Sequence, residues 1–193
     1  MIRGCRVYRL RQASSTQTLA RRLAEKGEPA WTLVRADRQS RGRGRMDRRW
    51  SSGPGGLYFS LILRPKMRPA ELPALSLALG EACAEALGRL AGIETTVKLP
   101  NDVLGRSEGA SGGKFCKICG ILAEASGDST SVHWLVVGIG VNVNNRLPKT
   151  LSEASSLSVL AGRRFDLSRV LDAVLEGLRQ KLGARMDAAA GSP

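Results

Sequence analysis

A chain of 193 residues, 42% hydrophobic and 24% charged, is long enough for one globular domain with a sizeable core, so the chain as a whole is not a disordered segment. Thirty Lys and Arg against seventeen Asp and Glu give a net charge of +13, which favours an acidic partner or a phosphate-bearing ligand and says little about fold. One histidine, His133, excludes a histidine-rich zinc site within the chain, and three Trp, two Tyr and three Phe are few for a module that stacks nucleic-acid bases.

Arg6–Leu10 alternates weakly and reads as a short first strand. Ser14-Ser15-Thr16 then offers N-caps for a helix with Leu19, Ala20, Leu23 and Ala24 on one face, closed by Gly27. Thr32–Ala36 and Leu57–Leu63 read as strands, the second more buried. Between them lies Asp37–Gly56, a long loop with six arginines and five glycines, expected to be mobile until an anion arrives. Pro73–Leu90 places Leu75, Leu79, Ala82, Ala86 and Leu90 at helical spacing. Thr95–Lys98 is a short strand ended by Pro100, and the polar stretch Gly105–Gly113 reads as a hairpin tip or mobile loop. Lys117–Ala125 and Val132–Val143 follow as strands, the second so apolar that it is expected at the centre of the sheet. A last helix starts near Asp166 or Ser168 and carries Val170, Leu171, Val174, Leu175, Leu178 and Leu182. The sum is an α+β fold, a mixed or antiparallel sheet of about six strands with helices mainly on one face. We expect one domain over residues 1–184 and a disordered tail over 185–193.

Four cysteines, Cys5, Cys83, Cys116 and Cys119, are too few and too scattered for a disulfide scaffold. The N-terminus MIRGCRVYRLRQ lacks the apolar core of a secretory signal, and no apolar stretch is long enough to span a bilayer, so a cytoplasmic setting is expected. Cys116-Lys117-Ile118-Cys119 spells CxxC, but strand alternation would point its two thiols to opposite faces, and no second pair exists to complete a zinc site.

Three segments carry chemistry. Gly42-Arg43-Gly44-Arg45, continuing to Trp50, combines glycines that let backbone approach a ligand with planar cations suited to phosphate. A solvated basic turn or a loose nucleic-acid contact has the same composition. Its spacing fits neither a Walker loop nor a dinucleotide fingerprint. Lys98-Leu99-Pro100-Asn101-Asp102 brings an ammonium, an amide and a carboxylate together, although Pro-Asn-Asp is also ordinary turn chemistry. Lys117 opens an apolar strand, facing either water or a ligand, and Gly138-Ile139-Gly140-Val141-Asn142 is either a tight turn or bare backbone for a flat group.

Together these segments resemble the biotin–protein ligases. Ser15-Thr16-Gln17, Gln39 leading into GRGRMDRRW, KLPNDVL, KICGILAE and VVGIGVNVN occur in that family's order, where the stretches are usually STN, Q-x-x-GRGR-x-x-R-x-W, KWPND, K-hydrophobic-x-GIL-x-E and G-hydrophobic-G-hydrophobic-N. The resemblance runs from about Tyr8 to Leu182. Gln17 stands where the family has asparagine, Leu99 where it has tryptophan, and Met46-Asp47 where Arg-Gly is commoner. The family usually carries a small C-terminal β-barrel and some members an N-terminal helix-turn-helix; these residues are expected to contain neither.

The resemblance implies the biotin/lipoate ligase-like fold and a two-step ligase. Biotin and ATP give biotinyl-5′-adenylate, and a lysine of a biotin carrier domain takes the biotinyl group. It implies Ser15, Thr16, Gln17, Gln39, Arg43, Gly44, Arg45 and Lys117 around biotin, with Arg45 and Lys117 catalytic. Lys98, Asn101, Asp102 and Asn142 are implied at the nucleotide, and Asp102 at Mg²⁺. No membrane or specific nucleic acid is implied as a partner, and a homodimer is compatible with the resemblance. The alternatives are a lipoate or octanoyl ligase or transferase of the same architecture, a catalytically dead relative, and a non-catalytic basic nucleic-acid-binding protein.

Overall fold

The protein is described by a computed structural model over residues 6–107 and 113–186. Of the expected loop at 105–113, residues 108–112 lie outside the described residues, as does the expected tail from 187 onward. A seven-stranded sheet organises the molecule, in the order β1-β2-β3-β7-β6-β5-β4. The strands are β1 (Val7–Leu10), β2 (Thr32–Ala36), β3 (Leu57–Leu63), β4 (Ile93–Lys98), β5 (Asp102–Ser107), β6 (Cys116–Gly127) and β7 (Val132–Val141). Only β1 and β2 pair in parallel; the other neighbours are antiparallel, which makes the sheet mixed, as expected. The apolar β7 is its middle strand.

One strand more is present than expected. Asp102–Ser107 reads as turn and loop because Asp102, Gly105 and Arg106 interrupt any apolar alternation, yet it pairs with β4 on one edge and β6 on the other. Backbone pairing on both sides overrides its weak side-chain signal.

The two sheet faces bury different helices. Leu57, Phe59, Leu61 and Leu63 of β3 join Leu135, Val137, Ile139 and Val141 of β7 in the main core, beneath α2 (Leu72–Ala91) and α4 (Leu167–Met186). Pro73 sits in the first turn of α2, and Gly92 ends it in the left-handed region at φ 67°. On the other face α1 (Thr16–Glu25) packs Ala20 and Ala24 on Val34, Ile62 and Val136. The long helices therefore share one face, while the short α1 leaves much of the opposite face open for a cavity. A fourth short helix, α3 (Leu157–Leu160), follows β7 and is capped by Ser156. Among the described residues no helix is long and apolar enough to cross a membrane.

Candidate active site

Ser15 caps α1, its Oγ accepting from the Thr18 N–H at 3.5 Å, so its own hydroxyl proton is left for another acceptor. Thr16, in the first turn, donates its backbone N–H at 2.8 Å and its hydroxyl at 3.1 Å to Gln39 Oε1. A backbone N–H can only donate, which fixes the orientation of the Gln39 amide. Nε2 then donates to Ser52 Oγ at 2.9 Å and keeps one N–H in reserve. From β3, Ser60 Oγ lies 3.0 Å from Thr16 Oγ1 and 3.1 Å from Gln17 Oε1. Gln17 is buried, and its Nε2 donates to Glu124 Oε2 at 2.9 Å and to the Val136 carbonyl at 3.1 Å. Ser15, Thr16, Gln17, Ser52 and Ser60 are buried and neutral, Gln39 is half-buried, and few spare hydrogen-bonding positions remain.

The other end is cationic. Residues Lys117 and Gly120 would fall on opposite faces of an unbroken strand, but the β5–β6 register shifts at Val103/Leu104, pairing Val103 with Cys119 and Leu104 with Lys117. Ile118 and Cys119 both enter the main core, and Lys117 is turned back to the face that holds Asp102 and Gly120. The same shift removes the alternation expected to separate Cys116 from Cys119; Cys119 is instead buried beside Cys83, whose thiol, together with burial, pushes the Cys119 thiol up. Lys117 Nζ lies 2.6 Å from Asp102 Oδ1 and 5.3 Å from the centre of the Trp50 ring. That buried Oδ1 is ion-paired but receives no directed hydrogen bond among the described residues. Trp50 lies over Gly120 and Gly140, where a Cβ would come within 2.6 and 2.5 Å of the ring, so bare backbone at both positions makes room for the indole.

The arginine-rich segment is folded as a hairpin rather than an open loop. Arg43 and Arg49 form a bridge, Gly44 N donates to Arg48 O at 2.7 Å, and the tip residues Met46 and Asp47 take φ of 52° and 58°. Arg43 places its two terminal nitrogens on Glu124, at 2.8 Å to Oε1 and 3.1 Å to Oε2. Arg45, Arg48 and Arg49 have no side-chain partner among the described residues and line the same cavity.

That cavity, about 530 Å³, joins the two ends. Ser15, Thr16, Gln17, Gln39, Arg43, Gly44, Arg45, Asn101, Asp102, Lys117 and Asn142 all line it. Lys98 does not: it is exposed, and its charge acts on Glu153. Leu99 is outside the lining as well and 66% exposed. Asn101 Nδ2 donates to the Ile121 carbonyl at 3.0 Å, and Asn142 Oδ1 accepts from Asn145 at 3.2 Å. No cluster of three or more His, Cys, Asp or Glu suited to a metal occurs among the described residues.

Sequence reasoning missed Ser52, Ser60, Trp50 and Glu124. Ser60 had a signal, a serine at the centre of the apolar LYFSLIL, and Trp50 and Glu124 lie within the quoted motifs. Nothing in the sequence announces Ser52.

The fold is an α+β domain with a two-ended cavity on one face of its sheet. Residues 9–142 match the Biotin/lipoate A/B protein ligase family, and the chain belongs to that family. It is similar to the bifunctional ligase/repressor BirA of Bacillus subtilis, 41% identical over 167 residues, covering 84% of this chain and 49% of that protein. It is also similar to the biotin–[acetyl-CoA-carboxylase] ligase of Paracoccus denitrificans, 39% identical over 116 residues, 59% of this chain and 44% of that protein. The chain thus spans about half the length of the curated relatives it matches. Among solved structures, the biotin protein ligase of Aquifex aeolicus in complex with biotin and ATP aligns with a TM-score of 0.75 and 35% identity, covering 95% of this chain and 73% of that one.

Proposed function

We propose that this chain activates biotin with ATP and passes the biotinyl group to a lysine of a biotin carrier domain. The observation that carries the reading is one cavity with a neutral end, the buried Ser15, Thr16 and Ser60 with the half-buried Gln39, and a cationic end, Arg45 and Lys117. A ureido ring offers one carbonyl and two N–H groups and needs neutral partners. The free Ser15 hydroxyl proton and the spare Gln39 N–H suit its carbonyl, and the Thr16 and Ser60 oxygens suit its N–H groups. The relatives named for biotin support the same ligand.

In the first step the biotin carboxylate, already ionised at neutral pH, attacks the α-phosphorus of ATP and pyrophosphate leaves. No general base is required; two anions must be aligned and their charge offset, the role of Lys117 and Arg45. In the second step the carrier amine attacks the acyl carbon and AMP leaves. Asn101, Asp102 and Asn142 form the nucleotide end, and the exposed Lys98 falls outside it. Asp102 would be the carboxylate beside a Mg²⁺ carried on the ATP phosphates, where the cation would offset phosphate charge. Its Oδ1, however, is already paired with the Lys117 ammonium at 2.6 Å, and no further carboxylate joins it among the described residues. A cytoplasmic setting, where ATP and carrier are present, belongs to this reading. Thermal unfolding tests it: biotin with ATP should raise the melting temperature, and lipoate with ATP should not. An equal rise with lipoate would move the chain to the lipoate branch of its family.

A further inference from the structure

A closed ring of contacts surrounds the neutral end of the cavity. From Gln17 it runs through Ser60 and Thr16 to Gln39. Gln39 packs on Gly42, where a Cβ would lie 3.2 Å from its Nε2, and 2.7 Å from Ser52 Oγ. Arg43, the next residue, reaches Glu124 with both terminal nitrogens. Glu124 Oε2 accepts from Gln17 at 2.9 Å, closing the ring. One carboxylate of β6 therefore ties both α1 and the arginine-rich hairpin to the sheet.

We propose that Glu124 is a positioning residue for the acid substrate: it holds Arg43 and Gln17, and through them the hairpin backbone and the Thr16 and Ser60 hydroxyls, in the arrangement that receives the ligand's neutral head. This deepens the biotin reading and rests on it for the identity of the ligand; the anchoring of the hairpin does not. Side-chain exposures of 40% for Arg43 and 23% for Glu124 mean that water screens the pair in part. Its two-point geometry and the shared Gln17 bond strengthen it above a single exposed contact. The hairpin also holds Arg41, Arg45, Arg48 and Arg49, so removing the negative charge releases a segment that repels itself.

Glu124→Gln keeps the length and an acceptor for Gln17 while removing that charge. Trypsin digestion of the protein alone reads the anchor: cleavage after Arg45, Arg48 and Arg49 should quicken ~3- to 10-fold with no fall in melting temperature. In biotin-dependent ATP–pyrophosphate exchange the KM for biotin should rise at least ~3-fold, while the KM for ATP stays within ~2-fold of the parent. Arg43→Gln should quicken the same cleavages, and the double variant should add nothing further, because one broken pair cannot be broken twice. If Glu124→Gln lowers the melting temperature, Arg43→Gln makes the same break from the more exposed side and decides in its place. Unchanged cleavage in these variants overturns the anchor, and quickened cleavage with an unchanged biotin KM overturns its role in the substrate site. Should the parent exchange pyrophosphate without needing biotin, the biotin reading fails, and the cleavage rates still decide the anchor.

Discussion

Lys117 Nζ lies 2.6 Å from Asp102 Oδ1, although Lys117 is the second residue of β6, Asp102 is the first of β5, and strand alternation alone would separate them. The β6 irregularity brings the ammonium to the face that carries Trp50 and the cavity. Asp102 thus holds the cation where a phosphate would meet it. Lys117→Ala should leave the fold intact, since the side chain is 32% exposed, and should lower adenylate formation by ~10²–10³. Circular dichroism with single-turnover adenylate assays checks both halves, and parental rates would make Lys117 an ordinary strand-end lysine.

Gly140→Ala tests the platform under Trp50. A Cβ at that position would sit 2.5 Å from the indole, so the ring must move or the sheet must shift, at a cost of about 1–3 kcal/mol. Displacing Trp50 also removes the aromatic face beside Lys117. Lower thermal stability, altered tryptophan emission and reduced exchange activity are expected together. Unchanged emission would mean that the ring does not rest there.

The tip of the arginine-rich hairpin carries two non-glycine residues at positive φ, Met46 at 52° and Asp47 at 58°. Side chains other than glycine are disfavoured there, and aspartate pays less than most. Asp47→Gly should therefore stabilise the hairpin by about 0.5–1 kcal/mol. The readout is hydrogen exchange at the Gly44 amide, bonded to Arg48 O, which should slow ~2- to 5-fold. Faster exchange would show that Asp47 stabilises the turn through its side chain.

Most of the fold was legible because its signals are local. The Ser15 cap, the apolar spacing of α2 and the continuous apolar run of β7 each specify an element without reference to the rest. β5 was not legible, because pairing with β4 and β6 makes it a strand and its own residues do not. The site divides in the same way. Ser15, Thr16, Gln39 and Lys117 stand in motifs, whereas the Arg43–Glu124 pair joins residues 81 apart and exists only once the sheet is assembled. Gln17, expected at the ligand, lines the cavity while its amide is bonded to Ser60, Glu124 and the Val136 carbonyl, contacts that no motif announces. Lys98 looked like part of the Asn101-Asp102 group by proximity in sequence, but the turn between β4 and β5 leaves it outside the cavity.

Arg45 lines the cavity without a side-chain partner among the described residues, and under the proposed function it both aids adenylate formation and holds the adenylate once made. Arg45→Gly should retain some adenylate synthesis and release the intermediate, lowering carrier biotinylation relative to adenylate formed. Quantifying free adenylate beside labelled carrier checks this, and a parental ratio would remove Arg45 from the closure of the site.

The most direct test of the account is exchange of labelled pyrophosphate into ATP by the purified protein. A reversible adenylation supports such exchange, and under the proposed function the acid that drives it is biotin. Exchange that appears with biotin, is absent without it, is not restored by lipoate or octanoate, and is lost in Lys117→Ala is the predicted result. Absence of exchange with biotin, or exchange driven equally by lipoate, would contradict it.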